Sequence, residues 1–112
     1  MKKIPFLLIV LVCLSLQVFS QKKTYIKESF KVLGNCMMCK NKIEGAATNI
    51  EGVKYARWDV NKKLLKVKYK LNKTNGDKIQ QSIAKIGYDT ELFKATDKAY
   101  SELHYCCKYE RE

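Results

Sequence analysis

Histidine is scarce in this sequence, and no catalytic set can be recognised. The single histidine is His104, so neither a Ser-His-Asp triad nor a Cys-His pair is visible. The acidic residues are scattered along positions predicted to be solvated, and no glycine-rich phosphate loop occurs. These absences argue against hydrolysis and phosphoryl transfer, and we expect a protein that is not an enzyme.

Acidic residues are also few, at 11 against 22 lysines and arginines, which gives a formal net charge of +11. A positive charge of this size attracts polyanions and anionic membranes. The lysines are spread along the chain, however, and those at 66, 68 and 70 alternate with apolar residues, as on the solvated face of a strand. We interpret them as a soluble, charged surface and expect no nucleic-acid partner.

The only long apolar run covers residues 4–16. Two lysines precede it, and Val18 and Ser20 occupy the −3 and −1 positions of a signal-peptidase site. Because the run is shorter than the ~20 apolar residues of a spanning helix, we predict a signal peptide over residues 1–20. Cleavage after Ser20 would yield an exported protein, periplasmic or secreted, without stable membrane insertion.

Beyond the signal peptide, the cysteines form two close pairs, Cys36 with Cys39 and Cys106 with Cys107. In an exported protein the default interpretation of cysteines is disulfides. Pairs this close enclose almost no chain, however, and closing a short loop removes little entropy from the unfolded state. The spacing therefore favours metal or redox chemistry over a structural disulfide framework.

The first pair lies in the stretch Cys36-Met37-Met38-Cys39, between a predicted strand and a predicted helix. We place Cys36 on a loop and Cys39 at the beginning of the helix. A helix N-terminus carries free N–H groups and a partial positive charge, which lower a thiol pKa. Thiolates select soft ions such as Cu(I), Hg(II) or Zn(II), and we predict Cys36 and Cys39 as metal ligands.

Hydrophobic periodicity predicts one α+β domain with the order strand, helix, strand, strand, helix, strand. Gly52 is expected to be a left-handed cap of the first helix, Thr74 or Asn75 to cap the second, and Gly87 to end it. This order is typical of the ferredoxin-like βαββαβ sandwich, a four-stranded antiparallel sheet with two helices on one face. The predicted elements cover about 24–33, 39–50, 53–60, 64–71, 75–86 and 88–94.

The sequence resembles the heavy-metal-associated domain family over about residues 24–95, and we assign residues 21–95 to this domain. The resemblance rests on the segment 34–39, Gly-Asn-Cys-Met-Met-Cys, between a strand and a helix, and on Gly87-Tyr88 after the second helix. The family includes copper chaperones, domains of copper-transporting ATPases and the periplasmic mercuric-ion-binding protein. It implies a soft ion, usually Cu(I), held by Cys36 and Cys39. It also implies ligand exchange with a similar domain, such as that of a copper-transporting ATPase, or a metal-bridged dimer.

The loop departs from the family pattern Gly-Met-x-Cys-x-x-Cys, because it is one residue shorter and lacks the methionine that packs beneath the family's site. Met37 or Met38 is expected either to replace that methionine or to face solvent as an extra soft ligand. In the family, the residue after the second helix's glycine lies near the metal. Here that residue is Tyr88, which is expected either to shield the thiolates or to be a core aromatic.

The C-terminal tail, residues 96–112, lies beyond the predicted domain. Thr96 or Asp97 is expected to cap a short helix, and apolar or metal-binding side chains then recur at helical spacing from Tyr100 to Cys107. The tail offers three further candidate metal ligands within four residues, namely His104, Cys106 and Cys107.

Chain geometry bears on whether the tail reaches the first cysteine pair. A seven-residue fourth strand would carry the chain ~23 Å away from the Cys36 loop, and eleven helical steps would return only ~17 Å. A shared metal site therefore requires a partly non-helical tail, or the tail of a second molecule. The alternatives are a separate second metal site and a non-metal role, such as a disulfide or a disordered end.

Two functions of other classes compete with metal binding. A thiol–disulfide redox protein would use the same Cys-x-x-Cys pair. The only proline is Pro5, however, so the exported chain has no cis-proline of the kind found beside a thioredoxin-like disulfide, and its element order also differs from that fold. The third hypothesis is an interaction or scaffold domain in which the cysteines are incidental.

Overall fold

A computed structural model describes residues 24–112 of the chain. The predicted signal peptide, residues 1–20, and its cleavage after Ser20 lie outside the described residues. Within this part no helix is long and apolar enough to cross a membrane. The elements are β1 (Tyr25–Lys31), α1 (Met37–Thr48), β2 (Val53–Asp59), β3 (Leu64–Lys70), α2 (Gly76–Lys85) and α3 (Asp97–Ser101), followed by a 3-10 helix, Tyr105–Cys107.

The three strands form one antiparallel sheet in the order β1-β3-β2. Because side chains alternate between the two faces of a strand, Leu65, Val67 and Tyr69 of β3 point into the core. The lysines between them lie on the opposite face, as predicted. β2 and β3 form the predicted hairpin.

The two long helices cover the apolar face of this sheet. Ile43 and Ala47 of α1 and Ile79 and Ile83 of α2 are fully buried or nearly so, and all four belong to one core with the inward side chains of the strands. This arrangement is the α+β, one-sided helix cover that the sequence predicted. Gly52 and Gly87 adopt the left-handed backbone with φ of +100° and +112°. Gly87 follows α2 directly, but Gly52 lies in the turn before β2, so the prediction that it caps α1 is wrong because that helix ends earlier, at Thr48 with Asn49 as its cap. Asn75 caps α2 by accepting the N–H of Lys78 at 2.9 Å.

The predicted fourth strand, residues 88–94, is wrong for the described part of the chain. Only one bridge, between Val32 and Thr90, extends the sheet beyond β1. The chain turns immediately afterwards, because the Thr90 N–H donates to the Phe93 carbonyl at 2.7 Å and the Phe93 N–H donates to Thr90 Oγ1 at 3.1 Å. After this turn the chain forms α3, whose Ala99 carbonyl lies beside Gly87 at the end of α2.

The tail is part of the fold, contrary to the prediction that it lies beyond it. Leu103, Cys107 and Tyr109 are buried in the same core as the strands and helices. α3 is capped by Thr96 and ends at Ser101, so the predicted helical stripe reaching Cys107 is also wrong. The chain after α3 is mostly irregular, and it lies across the end of the domain that carries the first cysteine pair.

Candidate metal centre

Cys36 is the N-cap residue of α1, directly before its first residue, Met37. It has extended backbone angles, with φ −152° and ψ 175°, and its side chain lies at the helix N-terminus. The helix begins two residues earlier than predicted, so Cys39 lies within its first turn. Burial opposes ionisation of Cys36, but hydrogen bonds from the Cys39 and Met38 backbone N–H groups and from the Cys39 thiol lower the pKa of Cys36 to about 7.

Cys39 completes the first pair and is fully buried. Its Sγ lies 3.4 Å from the Cys36 Sγ and donates to the Asn35 Oδ1 at 3.2 Å. Burial raises the pKa of the Cys39 thiol. Near neutral pH the metal-free pair therefore holds one partly ionised sulfur and one thiol that keeps its proton.

Trp58 forms the floor of the cysteine loop. A Cβ at Gly34 would lie 3.0 Å from two carbons of the Trp58 ring and 3.2 Å from the Cys39 Cβ, so glycine allows this close approach. The Trp58 Nε1 donates to the Val32 carbonyl at 3.0 Å, and the Lys63 ammonium donates to the Gly34 carbonyl. Trp58 therefore supports the loop from beneath, and Lys63 holds it from one side.

Neither methionine of the loop replaces the one that the family has beneath its site. Met37 is 62% exposed and Met38 is 42% exposed, because the first turn of α1 directs both side chains outward. The expected packing role falls to Trp58. Of the two alternatives, the structure favours solvent-facing sulfur atoms, with Met38 close to the cluster described next.

The tail brings Cys106 and Cys107 to the first pair. The Cys107 Sγ lies 4.0 Å from the sulfurs of both Cys36 and Cys106, and the sulfurs of Cys36, Cys106 and Cys107 all lie within 4.8 Å of one another. The predicted condition for such proximity, a partly non-helical tail, is met within a single chain. We call the four sulfur atoms of Cys36, Cys39, Cys106 and Cys107 the thiol cluster.

Cys106 lies at the mouth of the thiol cluster. It is half-buried, and its Sγ lies 3.7 Å from the Met38 Sδ and 3.2 Å from the His104 Nδ1. His104 is exposed. Cys107, by contrast, is fully buried, and burial raises the pKa of its thiol. Solvent therefore reaches the cluster on the side of Cys36 and Cys106.

Tyr88 lies behind the thiol cluster. It fits both alternatives predicted from the sequence, a core aromatic and a residue that shields the thiolates. Its side chain is fully buried in the core, and its hydroxyl lies beside the thiols of Cys107 and Cys39 without a hydrogen bond of good geometry. Burial and the neighbouring sulfurs raise the pKa of Tyr88 above its usual range. It is therefore a neutral donor that would gain good acceptors when these sulfurs become thiolates.

Two residues near the C-terminus fix the tail against the domain. The buried Tyr109 hydroxyl accepts the Asp89 N–H and donates to the Gly87 carbonyl, both at 2.8 Å. Arg111 forms a two-point ion pair with Asp89, at 2.9 Å from Nε and 2.8 Å from Nη2, and its Nη2 also donates to the Ala95 carbonyl. Tail and domain are thus held together by buried polar contacts.

The chemistry of the donors fits a soft ion. Within residues 24–112, the one cluster of three or more potential metal donors is composed of thiols, and all four cysteines of that part are free. Thiolates favour Cu(I), Hg(II) and Zn(II), whereas Mg²⁺ and Ca²⁺ favour oxygen ligands.

Several residues that support the centre were missed in the sequence. Asn35 stands next to Cys36 in a turn, where a local side-chain hydrogen bond was foreseeable. Trp58 lies on the inner face of β2, but no local pattern indicates which loop it supports. No local sequence pattern indicates the supporting roles of Tyr109 and Arg111, because their partners lie about 20 residues away in the chain.

Comparison with known proteins identifies a protein family whose pattern includes the cysteine loop. The family model for the heavy-metal-associated domain matches residues 35–89. Among solved structures, the apo-form of a copper chaperone of Enterococcus hirae is 32% identical, with a TM-score of 0.54, and the match covers 58% of this chain and 97% of that one. A search of curated proteins gives no match.

Two further structures show the same likeness. The CopZ metallochaperone is 30% identical, with a TM-score of 0.56, over 58% of this chain and 98% of that chain. The N-terminal domain of a potential copper-translocating P-type ATPase from Bacillus subtilis, solved in its Cu(I)-loaded state, is 27% identical, with a TM-score of 0.58, over 66% of this chain and 94% of that chain. The family-model match ends before the tail.

Proposed function

This chain belongs to the heavy-metal-associated domain family, and from that premise we propose that it binds a soft metal ion, Cu(I) before Hg(II) or Zn(II), through Cys36 and Cys39. The observation that carries the proposal is the position of the pair. Two sulfurs lie 3.4 Å apart at the N-terminus of α1, and the pKa of Cys36 is lowered to about 7. A thiolate is therefore available near neutral pH without the help of a metal.

Copper is preferred over mercury and zinc on the strength of the relatives. The similar chains include copper chaperones and copper-binding domains of P-type ATPases, and soft thiolates suit Cu(I). The protein acts as a copper chaperone or as a sequestration protein. In the first role its partner is another heavy-metal-associated domain, such as that of a copper-transporting ATPase, and the ion bridges the two domains during exchange.

The proposal includes export. Its support is the pattern of residues 1–20, with two lysines, an apolar run and small residues at the predicted cleavage site. The intact mass of the protein recovered from the exported fraction tests it. A chain that begins at Gln21 is expected, and a full-length chain retained inside the cell would contradict export while leaving metal binding in place.

An anaerobic Cu(I) titration against a chromophoric chelator tests the binding proposal. The described core lies between Phe30 and Tyr109, so reduced protein comprising residues 21–112 is suitable. One tight equivalent is expected, and Cys36→Ser/Cys39→Ser should weaken binding by more than about 100-fold, because a ligand contributes more than the residues that orient it. Ser29→Ala, on the solvent face of β1, is the control. Equal binding by the double variant would overturn the proposal.

A thiol–disulfide redox role is the second candidate, because the short distance between the Cys36 and Cys39 sulfurs and the lowered Cys36 pKa also suit disulfide exchange. Reduction of a protein disulfide substrate separates the two functions. We expect no catalytic turnover with the reduced protein. Turnover that depends on Cys36, combined with weak Cu(I) binding, would favour the redox role.

A further inference from the structure

We propose that the tail completes the site: Cys36, Cys106 and Cys107 together hold one soft monovalent ion as a three-thiolate centre, which retains the ion within a single chain. This inference rests on the proposed function, a soft ion bound at the Cys36 loop, and changes its ligand set: Cys106 and Cys107 join Cys36 as ligands, and Cys39 supports the Cys36 thiolate without binding the ion. It concerns residues beyond the part of the chain that the family model matches, which ends at residue 89.

Sulfur–sulfur distances carry the inference. Three ligands in a plane around an ion at a metal–sulfur distance of about 2.3 Å stand about 4.0 Å apart. The Cys107 sulfur lies 4.0 Å from both Cys36 and Cys106, and all three sulfurs are within 4.8 Å of one another. The metal-free protein therefore presents a triangle close to the one that a trigonal centre requires, with two sides that match and a third, from Cys36 to Cys106, of at most 4.8 Å.

The Cys36 and Cys39 pair fits a linear two-ligand centre less well. Two sulfurs on opposite sides of an ion stand about 4.6 Å apart at the same bond length, whereas these two lie 3.4 Å apart. The Cys39 side chain is also fully buried and donates to Asn35. Cys39 is consequently assigned as the neighbour that stabilises the Cys36 thiolate, and a move to a linear pair would break its bond to Asn35.

The tail is held in place before any ion arrives. Leu103 and Tyr109 anchor it in the core on either side of the cysteines, and the two-point ion pair between Arg111 and Asp89 fastens its end. Ordering a flexible ligand on binding costs free energy, and a ligand that is already ordered avoids that cost. This preorganisation favours tight, slow-releasing binding over rapid transfer.

The charge balance of binding also has a structural basis. Three thiols that bind one monovalent ion release three protons and leave a centre of net charge −2. The N-terminus of α1 stabilises negative charge, and the Tyr88 hydroxyl, which lies beside Cys107 and now has no good acceptor, gains the Cys107 thiolate as its acceptor. The half-exposed Cys106, beside Met38 and His104, is the sulfur that an incoming ion meets first.

X-ray absorption at the copper edge, on reduced protein loaded with one equivalent of Cu(I), tests the ligand number. Three sulfurs are expected for the wild type and for the control Tyr105→Ser, which changes an 82% exposed side chain in the same 3-10 helix. Cys106→Ser should show two sulfurs and release Cu(I) to a chelator about tenfold faster or more. A circular dichroism melt checks that this half-exposed substitution keeps the fold, and Cys107→Ala provides a second variant.

Two or four sulfurs in the wild type, or equal release rates for the wild type and Cys106→Ser, would overturn the three-thiolate centre while the proposed function stands. A wild-type protein that binds no Cu(I) would overturn the proposed function itself. The two failures are therefore distinguishable in one set of samples.

Discussion

The two cysteine pairs are similar in exposure and different in what holds them. Cys39 and Cys107 are fully buried, while Cys36 and Cys106 are half-buried. The first pair is held by backbone: a helix N-terminus and a glycine loop above Trp58. The second pair is held by side chains that connect the tail to the domain.

The two pairs also differ in whether the family model covers them. The part of the chain that the family model matches contains the first pair but not the second. The second pair lies beyond the matched residues and depends on contacts that Leu103, Tyr109 and Arg111 make with the domain. Changes in those contacts should therefore alter the tail and its sulfurs while leaving the first pair in place.

The largest effect is expected from Arg111→Leu. The substitution leaves the buried Asp89 carboxylate with the Ala95 N–H but without its cation, and breaking such a pair should lower the free energy of unfolding by about 3 kcal/mol. Urea denaturation of the reduced protein measures this. Lys108→Leu removes the same charge from an exposed position and should change stability by less than about 0.5 kcal/mol. Equal effects would contradict the assigned role of Arg111.

Gly87→Ala should have the next largest effect. The backbone φ there is +112°, and a Cβ would lie 2.9 Å from the Ala99 carbonyl oxygen, so the tail would have to move away from α2. We expect a loss of about 2 kcal/mol in the same denaturation assay. Gly45→Ala is the matched control, because nothing lies within 4 Å of its Cβ inside α1. It should stabilise the protein by about 0.5–1 kcal/mol, and a loss there would contradict the account of α1.

A smaller effect is expected in the pH dependence of alkylation, which should distinguish the Cys36 sulfur from the sulfurs of Cys39 and Cys107. Because the pKa of Cys36 is lowered to about 7, its thiolate fraction, and hence its reaction rate with iodoacetamide, should rise about tenfold between pH 6 and pH 8. Cys39 and Cys107, whose pKa values burial raises, should remain slow over that range. Peptide mass mapping of the metal-free, reduced protein measures all sites at once. Identical profiles for Cys36 and Cys39 would contradict the assignment.

Local patterns explain why much of the fold was predictable. Alternation along β3 and the spacing of Ile79 and Ile83 in α2 report which face is buried. Gly87 follows the end of α2 directly, because a left-handed residue is needed there, whereas the left-handed Gly52 lies in the turn before β2 and is not the predicted cap of α1, whose cap is Asn49. The prediction of a fourth strand failed because the sequence pattern does not reveal the turn from Thr90 to Phe93, which depends on a side-chain hydrogen bond.

Only the first half of the centre, the pair of Cys36 and Cys39, was predictable from local sequence patterns. The spacing of Cys36 and Cys39 before a helix is a local signal. The position of Cys107 beside Cys36 depends on the early end of α3 at Ser101 and on two long-range contacts, those of the Tyr109 hydroxyl and of the Arg111–Asp89 pair. None of these is visible in a window of neighbouring residues, so the sequence left a shared site and a separate site as open alternatives.

The most direct test of the account is a double-mutant cycle for Cu(I) affinity with Cys36→Ser and Cys106→Ser. If both sulfurs belong to one centre, either single change already breaks the triangle, and the double variant should lose at least about 1 kcal/mol less than the sum of the single losses. Losses that add within about 0.5 kcal/mol, or a Cys106→Ser variant that binds as the wild type does, would mean that the two pairs act independently and would contradict the account.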